Sequence, residues 1–341
     1  MKRFLKLFLK VFLIKLALML IIVTLLAMKR APEEYNYGIS FNTLYAQELG
    51  LPWREVYDAF LDDLGVRRLR LAAHWPMVEP LPGEFNFSEL DYQIDRAEAV
   101  GAEVVLAVGR RLPRWPECHV PAWAERLAVA DRNDSQLRYM TAVVERYRDR
   151  SSIRLWQVEN EPFLKAFAFE HCGQLDKDFL DQSIALVREL DPSRPVLVTD
   201  SGNLGTWFGA YRRGDVFGTS VYVYFWNPEL GQFKTLLPAW FYRVKTNFMN
   251  LRFGSKETLL IELSAEPWLV APVVEVPIET QFDRMNELKF LEIIEYAKRT
   301  RLSDQYLWGG EWWYWLKLRG YPGMWEIGRE LFVKEANESD V

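Results

Sequence analysis

Downstream of its first thirty residues the chain alternates between two hydrophobic spacings. Short, nearly continuous apolar runs, the signature of strands buried on both faces, fall at residues 38–42, 67–73, 102–109, 153–159, 195–199, 216–222, 257–263 and 305–308. Between and after them, apolar positions recur every three or four residues over 52–64, 88–100, 134–148, 176–190, 204–212, within 232–251, and over 280–300 and 324–332. Pro52 sits in a tolerated first-turn position and Ser88 caps the second helix. Eight strand–helix units of this kind predict an α/β fold, a (β/α)8 TIM barrel. An open doubly wound sheet would not ordinarily use eight units, and no glycine-rich phosphate loop follows the first strand.

The first thirty residues follow another rule. Residues 1–15 are basic and apolar by turns, and residues 16–28 are an uninterrupted apolar run ending at Lys29 and Arg30. This reads as a secretory signal, and counted from Val11, with Lys15 snorkelling, it reaches the lower length limit for a transmembrane helix. Only Ala27 offers a small-residue cleavage position, so an uncleaved signal anchor is favoured over a removed signal peptide. The basic flank places the N-terminus in the cytoplasm and the body outside. The expected division is therefore residues 1–30 as anchor or signal and 31–341 as one catalytic domain, membrane-anchored on the extracytoplasmic side, or secreted if the leader is cleaved.

Charge and rare residues narrow the chemistry. The net charge is −5, and the leader holds seven basic residues and no acid, so the body carries −12 and is not expected to bind nucleic acid. Three His and two Cys leave the usual multi-ligand zinc sites without donors, and no metal or cofactor is expected. Fourteen Trp, fifteen Tyr and twenty-one Phe supply flat apolar faces of the kind sugars stack on, although most must be core.

Two strand ends carry the candidate chemistry. Leu155-Trp156-Gln157-Val158 runs into Glu159-Asn160-Glu161-Pro162, and Thr258-Leu259-Leu260-Ile261 runs into Glu262 about a hundred residues downstream. Facing carboxylates held roughly 5 to 5.5 Å apart suit glycoside cleavage through a covalent intermediate. With Asn160-Glu161-Pro162 closing the fourth strand and Glu262 the seventh, the chain from about residue 35 to 332 resembles the retaining glycoside hydrolases of clan A. The resemblance implies that Glu161 is the acid/base and Glu262 the nucleophile, that Asn160 bonds the sugar 2-hydroxyl, and that Arg70 and Tyr222 hold the nucleophile, with Tyr224 of the same parity as the alternative. It implies that Trp308 or Trp312 forms the floor under the reacting sugar. Glu266, four residues past Glu262, is the rival nucleophile or a hydroxyl contact, with Trp268 beside it. Glu159 is expected to be a barrel-interior ion-pair residue, Glu311 a polar contact or ion pair, and Glu79 and Asp91 caps of a loop and helix.

The loop 109–121, dense in Pro, Trp and Arg, offers His119 and Trp115 as substrate contacts. Cys118 and Cys172 lie on adjacent loops at the same end of the barrel, so a disulfide bracing the rim is expected in an exported protein. The expected activity is hydrolysis of a β-linked glycoside in an oligo- or polysaccharide. A silent carbohydrate-binding barrel and an envelope transglycosylase are the alternatives. The aromatic segment 236–248 exceeds the needs of one buried helix face; ordinary packing is the default expectation, with a cover over a barrel gap or a seat against the membrane near the anchor as the alternatives.

Overall fold

The computed structural model describes residues 2–28, 30–114, 117–165 and 172–338. Eight parallel strands close into a barrel: β1 (Asn36–Ser40), β2 (Arg68–Ala72), β3 (Glu103–Val108), β4 (Ile153–Val158), β5 (Val196–Asp200), β6 (Val216–Val221), β9 (Thr258–Ser264) and β10 (Asp304–Trp308). Their order around the barrel is β1-β10-β9-β6-β5-β4-β3-β2, so chain neighbours are spatial neighbours and β1 closes on β10. The helical segments between them pack outside, as expected for βα crossovers.

Strand periodicity separates two cores. Val105, Leu155, Leu197, Val216, Leu259, Ile261 and Tyr306 fill the barrel interior, while their sequence neighbours Trp156, Phe217 and Leu260 face the helices. Gly218 is needed in that interior, because a Cβ there would sit 2.9–3.1 Å from Thr199, Ile261 and Leu197.

The expected strands fall within a residue or two of those observed, and the exceptions lie between them. Between β6 and β9 the chain forms an antiparallel hairpin, β7 (Tyr224–Asn227) with β8 (Gly231–Lys234), before the helix Trp240–Phe253 begins. The helix expected within 232–251 therefore starts later, since Pro238 cannot donate inside a helix and Gly231 takes the left-handed turn (φ 68°). The span 280–300 is two helices, Ile278–Arg284 and Glu287–Thr300, the second capped by the Asn286 side chain on Lys289 N–H.

The leader is one helix, Lys2–Ala27, whose segment Lys6–Ala27 is long and apolar enough to cross a membrane. It lies against helix Trp240–Phe253, where Asn247 Nδ2 donates to the Leu26 carbonyl at 2.7 Å.

Candidate active site

The mouth of the barrel is built from strand ends that period-two alternation aims inward. Arg70 follows Leu69 on β2 and turns into the interior, almost fully buried. Gln157 shares the parity of Leu155 on β4 and does the same. Arg70 Nε donates to Gln157 Oε1 at 2.9 Å, Nη2 to Asn160 Oδ1 at 2.7 Å and Nη1 to Glu262 Oε2 at 3.1 Å. One guanidinium thus ties three strands to each other, and its planar fork suits it to this use.

Glu262 reaches the mouth because β9 is irregular. Simple alternation would give Glu262 the parity of Leu260, which packs outside. Between the pairs Thr219↔Leu260 and Ser220↔Glu262 one extra residue enters β9, and the same shift appears against β10. The bulge turns Glu262 inward beside Arg70, where it also accepts a hydrogen bond from Tyr222 Oη. Tyr224 does not share that role, because its hydroxyl bonds Glu292 on the outer face.

Glu161 sits differently. After β4 the backbone takes left-handed conformations at Glu159 (φ 56°) and Glu161 (φ 42°), each costing on the order of 1–3 kcal/mol for a residue with a Cβ. The kink is held by Glu161 N–H donating to Thr199 Oγ1 at 2.8 Å. Burial, then the charges of Glu262 and Glu117, push the Glu161 carboxyl well above the usual carboxylate range. Its Oε1 is buried with no hydrogen-bond partner.

Glu159 is not an ion-pair residue. Its carboxylate accepts from the backbone N–H of Arg110 (3.1 Å) and Arg111 (2.6 Å) and from Gln136 Nε2 (2.7 Å). It packs over Gly109, where a Cβ would meet it at 2.5 Å, so the left-handed glycine (φ 119°) is required there. Arg111 instead pairs with Glu117 at 2.7 Å.

The remaining expected residues divide between rim and core. Glu266 is clamped by Arg114 through two bonds of 3.1 and 3.2 Å. The Arg114 guanidinium lies 3.0 Å from the centroid of Tyr45 and 5.1 Å from that of Trp308. Beneath this group, between Arg70 and Glu311, the recess is only about 20 Å³. Trp308 stands at the mouth, 6.2 Å from Tyr222, with its Nε1 buried and unpartnered. Trp312 is a correction: it is fully buried on helix Gly310–Lys317 and donates to Gln281 Oε1 at 2.7 Å, so it is core and no sugar reaches it. Gly309, in a left-handed conformation (φ 109°), ends β10 and starts that helix, which reverses the parity a continued strand would have had.

His119 lies edge-on to His74 at 4.8 Å, and burial lowers its pKa to about 4, so it is neutral near pH 7. Trp115 lies outside the described residues. Trp268 packs on Tyr222 at 5.6 Å. Glu79 accepts from Trp75 Nε1 and Gly83 N–H and braces its loop, while Asp91 pairs with Arg146. Cys118 and Cys172 form a disulfide that links the loops after β3 and β4.

Glu311 was placed too loosely by the sequence. It accepts from Asn42 N–H at 2.6 Å and stands near Arg114, and burial raises its carboxyl to about 7 although Arg114 draws it down. Gln157, Thr199 and Arg114 are the other mouth residues that pattern reading passed over. Parity with Leu155 was the available signal for Gln157.

This architecture is a (β/α)8 barrel with carboxylic acids gathered at its C-terminal mouth. No family profile matches the sequence. The chain is 28% identical to endo-1,4-beta-xylanase 3 of Hypocrea jecorina over 188 residues, 53% of this chain and 50% of the xylanase. It is 24% identical to beta-galactosidase BgaA of Clostridium cellulovorans over 169 residues, 44% of this chain and 24% of that protein. The matches thus span half or less of these relatives' lengths. Among solved structures, a GH5_18 protein of Bifidobacterium longum subsp. longum superimposes with a TM-score of 0.58 at 13% identity, covering 81% of this chain and 70% of that one. Endo-glycoceramidase II of Rhodococcus sp., captured as a lactosyl-enzyme intermediate, gives 0.53 at 14% identity over 82% and 75%.

Proposed function

We propose that the protein is a retaining glycoside hydrolase that cleaves a β-linked glycoside by double displacement. One observation carries the reading: two buried carboxyl groups at one barrel mouth have opposite surroundings. Glu161 has a bare oxygen and a pKa driven up by burial and by Glu262, which suits a group that must begin protonated. Glu262 accepts from Arg70 and Tyr222, which hold its carboxyl in one orientation, as suits a nucleophile.

In the first step Glu161 gives its proton to the leaving oxygen as Glu262 attacks the anomeric carbon, forming a glycosyl ester and releasing the aglycone. In the second step ionised Glu161 takes a proton from water, whose oxygen attacks the same carbon and frees Glu262. Developing charge on Glu262 in the second step is received by Arg70 and Tyr222. Asn160, with Oδ1 engaged by Arg70, turns its amide NH2 toward the sugar 2-hydroxyl, and Trp308 supplies the floor. Similarity to an endo-1,4-beta-xylanase and to a GH5_18 protein held in complex with Manb1-4GlcNAc supports a β-linkage.

The same reading makes helix Lys2–Ala27 a signal anchor, residues 1–30, with residues 31–341 outside as one catalytic domain. A disulfide at the rim favours an oxidising compartment. Proton NMR of the first-formed sugar, recorded on turnover of a panel of aryl β-glycosides and β-linked oligosaccharides, tests the mechanism. Retention of the β-anomer supports it, and an α-anomer formed first overturns it.

A further inference from the structure

Segment 234–239, the start of helix Trp240–Phe253 and the end of helix Glu287–Thr300 enclose an open recess of about 570 Å³. Lys234, Arg243, Arg299 and Arg301 line it, and no carboxylate does. Apart from Thr235 the rest of the lining is apolar or aromatic, including Leu237, Trp240 and Tyr296. None of these residues belongs to the barrel mouth.

The basic groups are unevenly satisfied. Lys234 pairs with Glu292 on its outer side. Arg243 Nε is buried with no hydrogen-bond partner. Arg301 lines the same recess, and burial followed by its like charge lowers the Arg243 pKa. The nearby acid Glu295 is engaged by Lys298 at 2.8 Å. Arginines gathered in one recess with an orphaned buried donor are stabilised by an anion bound there, and arginine forks match phosphate oxygens in particular.

The rim points to the source of that anion. Leu236 is 98% exposed at the lip of the recess and Trp240 is 42% exposed, and Phe248 and Leu251 continue one exposed stripe along the same helix. That helix is also the one against which the membrane-length helix Lys2–Ala27 lies, through Asn247 and Leu26. Exposed aliphatic and Trp side chains beside arginines fit the interface of a bilayer, with rings at headgroup depth and cations on phosphates.

We propose that this recess binds the phosphate headgroup of an anionic phospholipid, with Leu236 and Trp240 entering the acyl boundary, so that the barrel is seated on the membrane at a set angle. The inference rests on the anchor reading for orientation, not on the catalytic one. Mass spectrometry of the intact full-length chain, released from detergent in the presence of equal phosphatidylglycerol and phosphatidylcholine, tests it. One phosphatidylglycerol is retained with about a tenfold or greater preference. Arg243→Gln with Arg301→Gln abolishes the preference, Arg243→Lys with Arg301→Lys keeps part of it, and Arg252→Gln, outside the recess, leaves it whole. Equal retention of both lipids, an unchanged preference in the Gln pair, or displacement of the lipid by millimolar inorganic phosphate overturns the proposal. Because the preference is read in detergent, it is independent of the span. Extraction of the full chain from vesicles by alkaline carbonate separately overturns the anchor reading.

Discussion

The two ends of the barrel are both ringed with charge, and they handle it in opposite ways. At the N-terminal end of the strands Arg154 pairs with Glu257 and approaches Asp304 (3.7 Å) and Glu103 (3.9 Å), while Arg68 joins Glu103 at 3.8 Å. Most of these groups are partly exposed, and each acid has an arginine within 4 Å. At the C-terminal mouth acids gather with too few cations. Glu117, Glu159, Glu161, Asp200 and Glu311 all have carboxyls raised by burial, and three of them, Glu117, Glu159 and Glu161, take left-handed backbone conformations. A fold selected only for stability would remove such a cluster. Under the proposed function its persistence follows from binding and chemistry at this end, with Glu161 Oε1 left bare for the leaving group.

The sharpest way to break this comparison is at Glu161. Glu161→Gln should lower kcat/KM on glycosides with poor leaving groups by about 10²–10⁴-fold, yet spare the first step for aryl glycosides with very good leaving groups. Equal loss on both substrates removes the acid role. The same variant should melt higher than the parent at neutral pH, since it lacks the carboxyl that resists ionisation.

Next in size is Arg70. Arg70→Met leaves Glu262 buried without its cation and should destabilise the fold by about 3–5 kcal/mol, read from denaturant unfolding. A loss within that of a surface substitution would mean that the mouth is not tied through this residue.

Glu311 gives a dependence on pH. Its folded carboxyl titrates at about 7 against an ordinary 4.5, so above 4.5 the unfolded chain releases a proton that the folded chain retains. Stability from this group is therefore greatest below pH 4.5 and falls by about 3 kcal/mol as pH rises through 7. Unfolding curves at pH 5 and 8 should show that slope reduced by about this amount in Glu311→Gln. The smallest effect belongs to the opposite end, where Arg154→Met should cost about 1 kcal/mol or less and leave kcat/KM unchanged.

Most of this fold was legible because parallel strands buried on both faces are apolar throughout and stand out against helical spacing. All eight barrel strands follow from their apolar runs and the disulfide pair from adjacent loops on one face, whereas the cluster of Arg70, Asn160, Tyr222 and Glu262 was legible through the resemblance to clan A. What escaped depends on backbone events with no side-chain periodicity. The bulge that turns Glu262 inward, the left-handed Glu159 and Glu161, and the Gly309 turn that sends Trp312 into the core all change which way a side chain points without changing its neighbours in sequence. The hairpin Tyr224–Lys234 was hidden for a related reason: its aromatics read equally well as part of a helix.

The central claim is that Glu161 and Glu262 divide the labour of a double displacement. It is tested most directly by incubating the full-length chain with a panel of 2-deoxy-2-fluoro β-glycosides bearing good leaving groups, followed by intact mass and peptide mapping. The account predicts a single covalent glycosyl adduct, carried on Glu262 and lost on reactivation. An adduct on Glu266, or turnover of those substrates with inversion and no adduct, would contradict it.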